Sequence, residues 1–403
     1  MTNVAGRTWP NTYSNERTWP KGIMPEQFNA WAHGRQPNSE AEAILSQATA
    51  WYDARYYRQG DRFLRNRGSG GEALDMRLGS SMLPNSNDPL WLAPEEKGYV
   101  YLPGIAGNHL QLDHVAGTQV GDTLDIRIET NLDVSQQLPL AGKYITSTAT
   151  QNAWYWSITT SSRMYWLCTD GTNEISVAVG SIPSIVGGTR IRLRALYLRN
   201  DGTNHYNVSF WYSTSISEDL ATTTTWTQIG TTQTGTSIGA LRDLNTPVVF
   251  GSSRAASAGH SQNIYRIVLI ADGTAKVDID CNRIRSGDQT TFTALTEQTV
   301  NIIRATSGRK VVAMPNKNNG GQPLFLFGTD DYMEVQGAQQ HKLLNFTQLD
   351  SYTAISVIRR WPTQAAEFIV GKSASSGAIY PGWGNGFLLW IVLLHILMMA
   401  LIA

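Results

Sequence analysis

Hydrophobic and polar residues alternate along the central part of the chain. Between Thr189 and Asn200, the apolar side chains of Ile191, Leu193 and Ala195 are separated by arginines. A period of two is typical of a half-buried strand, so we expect one apolar face and one arginine face directed at water. A second alternating run covers 206–212 after an Asp-Gly-Thr-Asn sequence, which favours a β-hairpin.

Short runs of the same kind occur along the chain, and each is bounded by Gly, Ser, Asn or Asp. They are Gly98–Leu112, Thr123–Leu132, Ala153–Ile158, Met164–Cys168, Thr225–Gly230, Pro247–Gly251 and Asn263–Ile270. Many short strands separated by turns predict an antiparallel sandwich or barrel. The 13 Trp, 16 Tyr and 36 Gly fit a β-rich chain with many turns. The one predicted helix is Ser39–Tyr52, which starts with the spacing of a capping box.

Several of these runs carry aromatic residues and turns in a recognisable order. The segments are Tyr212-Ser213-Thr214, Trp226–Gly230, Val249-Phe250-Gly251, Ile264-Tyr265-Arg266 and Ala271–Thr274. This order resembles the concanavalin A-like (laminin G-type) jelly roll, and more narrowly its copies in minor tail and other virion proteins of bacteriophages. The resemblance covers roughly residues 51–280. It implies an all-β, antiparallel jelly-roll β-sandwich and a place in the phage virion.

A second set of similar segments follows the first in the same order. Gly321–Gly328 is similar to 98–104, Tyr332–Val335 to 109–112, Tyr352–Ile358 to 124–128, and Phe368–Lys372 to 140–143. Matches in the same order predict an internal duplication. The predicted domains are an N-terminal arm with a short helix (1–50), the sandwich (51–281), a second, truncated sandwich copy (282–386) and a hydrophobic tail (387–403).

The hydrophobic tail, Phe387–Ala403, contains 17 residues interrupted only by His395. A membrane-spanning helix needs about 20 apolar residues, so this segment approaches the required length. One interpretation is a C-terminal membrane anchor or interfacial segment. The other is a truncated or frame-altered end that replaces the missing strands. The first would make the protein a membrane-anchored β-sandwich.

Charge and cysteine content narrow the possible partners and cofactors. The 32 basic and 32 acidic residues give no net charge, which argues against general nucleic-acid binding. Cys168 and Cys281 are expected to be buried thiols rather than a disulfide. The seven His show no metal spacing. Some jelly rolls of this superfamily use calcium, but loops such as Asn200–Asn204 and Gly328–Asp331 are better explained as plain turns, so we predict no cofactor.

Acidic residues on the predicted strands were compared with the carboxylate pairs of sandwich glycosidases. Asp122, Asp125 and Glu129 do not share one strand face as a set. Asp278 and Asp280 share a face but lie where a strand leaves the domain. No nucleophile elbow or P-loop is present in the sequence. We therefore predict a protein that is not an enzyme.

Aromatic residues on the strands are the predicted ligand-binding residues: Trp154, Trp156, Tyr165 and Trp211. A flat aromatic ring that points out of a sandwich can pack against the apolar face of a sugar. The alternative is that loops or neighbouring subunits cover these rings. Five arginines between Arg55 and Arg67 could bind a phosphate or an acidic sugar; the alternative is a solvated lead-in to the first strand.

The predicted function is that of a non-catalytic virion protein of the minor tail or adhesion type. Its jelly roll would bind a cell-surface glycan or neighbouring virion subunits, and we expect an oligomer. A carbohydrate-active enzyme (glycoside hydrolase) or a lectin module attached to one is the first alternative. A protein associated with the membrane through its C-terminal segment is the second.

Overall fold

A computed structural model describes most of the central part of the chain. The described residues are 48–79, 81–83, 88–114, 123–132, 138–144, 152–159, 161–183, 189–200, 205–236, 238–241, 244–252, 261–287, 289–306, 308–326 and 333–335. The chain divides into two compact units. One is Leu90–Thr329, and the other combines Met1–Pro89 with Asp330–Ala403.

Within the described residues, regular structure is almost entirely strand. The first strands are β1 Phe63–Leu64, β2 Met76–Leu78, β3 Leu90–Leu92, β4 Tyr99–Pro103, β5 His109–Leu112, β6 Thr123–Leu132, β7 Leu138–Tyr144, β8 Asn152–Ile158, β9 Arg163–Thr169 and β10 Glu174–Ser181. They are followed by β11 Arg190–Asn200, β12 His205–Ser213, β13 Thr227–Gly235, β14 Val248–Phe250, β15 Ser261–Ala271, β16 Thr274–Asp280, β17 Thr291–Thr293, β18 Thr299–Ile303, β19 Val312–Met314, β20 Leu324–Leu326 and β21 Met333–Val335. Short 3-10 turns lie at Ala54–Tyr56, Gly71–Leu74, Cys281–Arg283 and Lys317–Asn319.

Two large antiparallel sheets form the unit Leu90–Thr329. The tryptophan sheet has the strand order β10-β9-β8-β7-β14-β5-β18-β17. The arginine sheet has the order β13-β12-β11-β6-β15-β4-β19, with β16 paired to β15. The central strands of both sheets pair with strands distant in sequence, as in a jelly roll, whereas consecutive strands such as β8 to β10 and β11 to β13 pair as hairpins. The predicted all-β, antiparallel jelly-roll β-sandwich is confirmed.

The core lies between the two sheets and follows the predicted alternation. Ile191, Leu193 and Ala195 of β11 are fully buried, and Ile126 and Ile128 of β6 lie directly opposite the latter two. Residues opposite each other in an antiparallel pair share a face of the sheet. The apolar face predicted for β11 therefore continues across the arginine sheet and packs against the tryptophan sheet.

At one edge of the sandwich the two sheets approach closely. Gly180 of β10 and Gly230 of β13 both have positive φ, +37° and +65°. A Cβ atom at Gly230 would lie 2.6 Å from Cγ1 of Val179. Only glycine allows this approach at low cost, so these two positions close the edge between β10 and β13.

A two-stranded ribbon, β3 paired with β20, belongs to the same unit. Its apolar residues form a second cluster with three tyrosines, Tyr99, Tyr101 and Tyr265. Tyr99 and Tyr265 are in ring contact, with centroids 5.7 Å apart. Because the second cluster is separate from the inter-sheet core, it covers part of the outer face of the arginine sheet.

The other unit contains a small three-stranded sheet with the order β1-β2-β21. Strand β2 pairs with both of its neighbours, and Met76 lies opposite Leu64 on one side and Val335 on the other. The pairing brings together segments from the two ends of the described chain. It uses Met333–Val335, which the sequence comparison assigned to a second sandwich.

Several predicted boundaries differ from the structure. The predicted division at residue 281 is not where the units divide, because β17, β18 and β19 continue the two sheets of the sandwich. Leu324–Leu326, expected to open the second copy, pairs with β3 instead. Residues 336–386, about half of that predicted copy, lie outside the described residues. The second copy therefore remains a prediction.

The remaining sequence predictions concern the helix, the hydrophobic tail and the two cysteines. Residues 48–52, the end of the helix predicted at Ser39–Tyr52, are not helical, and the rest of that segment lies outside the described residues, as does the tail 387–403. Within the described residues, no helix is long and apolar enough to span a membrane. Cys168 and Cys281 are free, buried thiols, which confirms the prediction. Burial raises the pKa of both thiols.

Candidate functional site

Outward side chains on the arginine sheet form a polar and aromatic row. Arg127 of β6 lies opposite Arg194 of β11, and Arg194 lies opposite Trp211 of β12. Trp211 in turn lies opposite Gln228 of β13. Since opposite residues share a face, all four positions lie on the side of the sheet away from the core.

The arginine face of β11 does not face water as predicted. The covering segment, residues 214–226, crosses it. Arg127 donates a hydrogen bond to the carbonyl of Leu220 at 3.1 Å, and Arg192 donates one to the carbonyl of Ile216 at 3.2 Å. A guanidinium carries five N–H donors, so arginines can bond a covering backbone and a carboxylate at once. The arginine side chains hold the covering segment on the sheet.

Asp125 balances two of the arginines. It accepts hydrogen bonds from Arg127 at 2.8 Å and from both Nε and an Nη of Arg194 at 2.8 Å. The Asp125 side chain is only 6% exposed. Paired, two-point contacts of this kind are the strongest form of arginine–carboxylate interaction.

Glu129 is the centre of a second ion-pair group. Its buried carboxylate accepts from Lys97 and Arg192, each at 3.2 Å, and from Arg190. Burial alone would raise the pKa of Glu129, but the positive charges of Arg190, Lys97 and Arg192 outweigh it and lower the pKa. The carboxylate is therefore held in its charged form.

Three of the acids compared with catalytic carboxylates take part in ion pairs. Asp125 and Glu129 are bound to arginines, and Asp278 accepts from Arg266 at 2.8 Å. A general acid in a glycosidase needs a raised pKa, so that it holds a proton near neutral pH. The lowered pKa of Glu129 has the opposite direction. The three carboxylates are placed to hold the charged layer together.

An aromatic patch lies on this face where β11, β12 and β13 pair. We call it the Trp211 patch, and it consists of Arg194, Trp211, Trp226 and Gln228. The guanidinium of Arg194 lies 5.7 Å from the ring centroid of Trp226. Trp211 donates from Nε1 to Oγ of Ser209 at 3.1 Å, which fixes its ring on the strand. Both tryptophans are partly exposed. The patch offers aromatic surface beside polar donors.

Trp154 and Trp156 do not point outward, and their predicted role in ligand binding is wrong in that respect. Both are fully buried in the core. They lie two residues apart on β8 and so share a face, opposite Cys168 and Trp166 of β9. The Trp154 and Trp166 rings stack with centroids 6.0 Å apart. The inter-sheet core needs large apolar side chains, and these tryptophans supply them.

Tyr165 and Trp211 lie on outer faces, but of different sheets. Tyr165 is partly exposed on the tryptophan sheet, where its ring centroid lies 6.3 Å from that of Tyr155. Trp211 lies on the arginine sheet. The structure therefore does not gather the four predicted aromatics into one site.

Trp226 and Arg194 were not among the predicted site residues. Trp226 follows four threonines at the start of a predicted strand, and nothing in the sequence marked it as a binding residue. Arg194 was counted as a solvated residue of β11. Only the path of the covering segment brings the two together. Within the described residues, no group of three or more His, Cys, Asp or Glu could hold a metal ion.

Comparison with known proteins yields structural matches only. No protein-family model matches the sequence, and no curated protein sequence matches it. The mouse laminin α1 chain, domains LG4-5, is similar over 56% of this chain, with 11% identity and a TM-score of 0.32. This chain covers 51% of that structure, about half of its length.

Two further solved structures are similar over a comparable part of the chain. The heptameric SAP-like pentraxin of Limulus polyphemus has 12% identity and a TM-score of 0.27, over 51% of this chain and 95% of its own. The Ruminococcus gnavus IT-sialidase CBM40, bound to α2,3 sialyllactose, has 14% identity and a TM-score of 0.28, over 43% and 91%. All three are distant matches in sequence, and the jelly-roll β-sandwich of this chain rests on its own strand pairing.

Proposed function

We propose that this chain is a non-catalytic virion protein of a phage, of the minor tail or adhesion type, whose sandwich binds a glycan at the Trp211 patch. The observation that carries the binding role is the pair of partly exposed tryptophans beside Arg194. Trp211 stands on the outer face of the arginine sheet opposite Arg194, and Trp226 lies at the end of the covering segment beside the same arginine.

The chemistry of the patch fits a sugar. An indole ring offers a flat apolar surface to the C–H face of a pyranose, and nearby polar groups can bond its hydroxyls. Gln228 and Arg194 flank Trp211 on the two neighbouring strands, so donors lie on both sides of the ring. Because these side chains stand on paired strands, the patch is rigid enough to be formed before a ligand arrives.

The non-catalytic part of the proposal is supported by what the acids do. The carboxylates of Asp125, Glu129 and Asp278 are bound to arginines in the charged layer. Releasing any of them for proton transfer would leave buried positive charge uncompensated, at a cost of several kcal/mol. Because these acids balance the charge of the arginines, using them for catalysis would destabilise the fold.

The phage context is supported by the order of turns and aromatic residues between Tyr212 and Thr274, which resembles the copies in virion proteins. In that context the protein is located in the phage tail and contacts other virion subunits as an oligomer. Electron microscopy of particles with an antibody against this chain tests the location. Labelling of the tail is the expected result, and labelling of host membranes alone would contradict it.

Binding is tested with the full chain on a glycan array, followed by titration of each glycan that binds. Trp211→Ala is expected to weaken binding by about tenfold or more, since loss of an aromatic contact residue costs more than 1 kcal/mol. Tyr165→Ala is the matched variant on the other sheet and is expected to leave binding unchanged. Loss of binding in Tyr165→Ala instead would move the site to the tryptophan sheet and contradict the proposal.

A hydrolysis assay on the same glycans separates binding from catalysis. We expect unchanged glycans after prolonged incubation with the wild-type chain. Cleavage of any bound glycan, abolished by Glu129→Gln or by Asp278→Asn, would establish a carbohydrate-active enzyme and overturn the non-catalytic part of the proposal.

A further inference from the structure

The second cationic region of the molecule lies in the other unit, around the arginine-rich segment Arg55–Arg67. Three of its five arginines are paired with acids. Arg55 donates to Asp53 at 2.8 Å, Arg62 to Asp88 at 3.0 Å, and Arg65 to Asp75 at 2.6 Å; the remaining two are Arg58 and Arg67. Within the described residues, the guanidinium groups of Arg58 and Arg67 have no acidic partner.

A tight turn positions Arg58. The N–H of Asp61 donates to the carbonyl of Arg58 at 3.0 Å, and Gly60 has a φ of +94°. A positive φ at the third residue is the geometry of a type II turn, which glycine adopts without strain. The hydroxyl of Tyr57 donates to the carbonyl of Asp61 at 2.5 Å and anchors the turn. The turn therefore fixes the backbone position of Arg58.

Arg67 is held by aromatic rings instead of by an acid. Its guanidinium lies 3.6 Å from the ring centroid of Tyr56 and 5.4 Å from that of Trp51. A guanidinium attracted to the face of a ring uses none of its N–H donors on an acid. Its backbone N–H donates to the carbonyl of Trp51 at 2.9 Å. Arg67 is thus positioned with donors still available.

The two arginines line one surface cavity. The cavity has a volume of about 350 Å³ and is lined by Tyr56, Arg58, Asp61, Arg65 and Arg67. That volume lies at the lower end of small-molecule sites, roughly 300–1,000 Å³. Asp75 balances Arg65, so two positive charges and the carboxylate of Asp61 remain, and the lining has one unmatched positive charge.

We propose that this cavity binds an acidic sugar whose anionic group is a carboxylate. Arg58 and Arg67 donate to the carboxylate, and Asp61 accepts from a sugar hydroxyl. Tyr56, which is 36% exposed, offers an edge to the apolar part of the ring. One unmatched positive charge suits a carboxylate monoanion better than the dianion of a phosphate monoester. This site is independent of the Trp211 patch, and either can fail without the other.

The experiment is a calorimetric titration of the full chain with glucuronate, glucose, glucose 6-phosphate and inorganic phosphate. We expect glucuronate to bind, with an affinity that falls as salt is added, and glucose not to bind. Equal binding of glucose, or tighter binding of glucose 6-phosphate or inorganic phosphate than of glucuronate, would overturn the assignment. No binding of glucuronate would also overturn it.

Variants locate the site. Arg58→Ala and Arg67→Ala are each expected to weaken glucuronate binding by about tenfold, since a hydrogen bond to a charged group is lost. Arg58 has no side-chain partner in the described structure, so its removal tests binding without disturbing packing. Arg67→Lys keeps the charge over Tyr56 and is expected to bind more weakly than wild type but more tightly than Arg67→Ala.

Two controls separate this site from the rest of the molecule. Arg163→Ala removes an exposed arginine of the sandwich and is expected to leave glucuronate binding unchanged. Trp211→Ala is likewise expected to bind glucuronate as the wild type does. If Arg58→Ala and Arg67→Ala bind normally while Trp211→Ala does not, the acidic sugar binds at the Trp211 patch and the cavity proposal is wrong.

Discussion

The sandwich has two buried layers on opposite sides of the arginine sheet, and different forces hold them. The layer between the sheets is apolar and contains residues such as Trp154, Trp166 and Leu193. The layer under the covering segment is charged, with Glu129 and Arg192 fully buried. Both layers exclude water, but only the apolar layer is stabilised by the removal of apolar surface from water.

The two layers differ in how much they depend on geometry. An apolar side chain gains about 25 cal/mol per Å² on burial, whatever its neighbours are, provided that they are apolar. A buried charge gains only if its partner is within bonding distance, and otherwise it is strongly unfavourable. We therefore expect the free energy of unfolding to fall in proportion to the side-chain volume removed from the core. In the charged layer, we expect it to fall when a single charge is removed.

The largest expected effect is in the core. Trp154→Ala should lower the free energy of unfolding by about 3–5 kcal/mol, because it removes a fully buried ring that stacks on Trp166. Urea denaturation followed by far-UV circular dichroism measures the change. Trp154→Phe is the matched control and should cost much less, since the indole N–H of Trp154 has no hydrogen-bond partner in the described structure. Equal losses in both variants would contradict a volume effect.

Removing one charge from the other layer should have an effect of about 3 kcal/mol. Glu129→Gln keeps the shape of the side chain but leaves Arg190, Arg192 and Lys97 without their shared counter-charge. The same urea denaturation experiment measures it. Val268→Ala, a loss of apolar volume on the same sheet, provides a comparison. A change below 1 kcal/mol in Glu129→Gln would show that the ion pairs contribute little.

Lowering the pH should weaken the charged layer but not the apolar core, so the two layers can be distinguished without a mutation. The folded-state pKa of Glu129 is below its ordinary value of 4.5, so its stabilising contribution is complete above that value and is lost as the pH falls through the folded-state pKa. The loss is about 1.4 kcal/mol per pH unit for each such group. Unfolding measured between pH 7 and pH 3 should show a weaker pH dependence in Glu129→Gln. Trp154→Ala should run parallel to the wild type.

The smallest effect is expected at the edge of the charged layer. Asp219 accepts from Arg266 at 2.6 Å, but its side chain is 50% exposed. Solvent screens such a pair, so Asp219→Asn should cost less than about 1 kcal/mol. Hydrogen exchange should nevertheless become faster in residues 214–226, because this bond helps to hold the covering segment. Unchanged exchange there would show that Arg127 and Arg192 suffice to hold it.

Much of the fold was predictable from local pattern. The strand predicted at Thr123–Leu132 has those bounds, and the hairpin of β11 and β12 was predicted from alternation and turn residues. Alternation is a direct consequence of strand geometry, so it is readable without the tertiary structure. The domain boundary was not predictable in this way, because β17 to β19 join sheets whose other strands lie far away in sequence.

The candidate site was predicted less well, for a physical reason. Alternation shows that Trp154 and Tyr155 point to opposite faces, but not which face is the core. The packing of the two sheets against each other decides this, and it placed Trp154 inside and Trp211 outside. Likewise, Arg192 looks solvated in β11 until the covering segment is in place.

The sequence by itself determined that the chain forms short antiparallel strands with one apolar face each, because apolar and polar residues alternate with a period of two along each strand. The tertiary structure alone decided that the arginine face is covered and that Arg194 lies beside both Trp211 and Trp226. The reason is that an apolar face needs only another apolar surface, whereas a charged face is stable when buried only beside the particular partners that the fold brings to it.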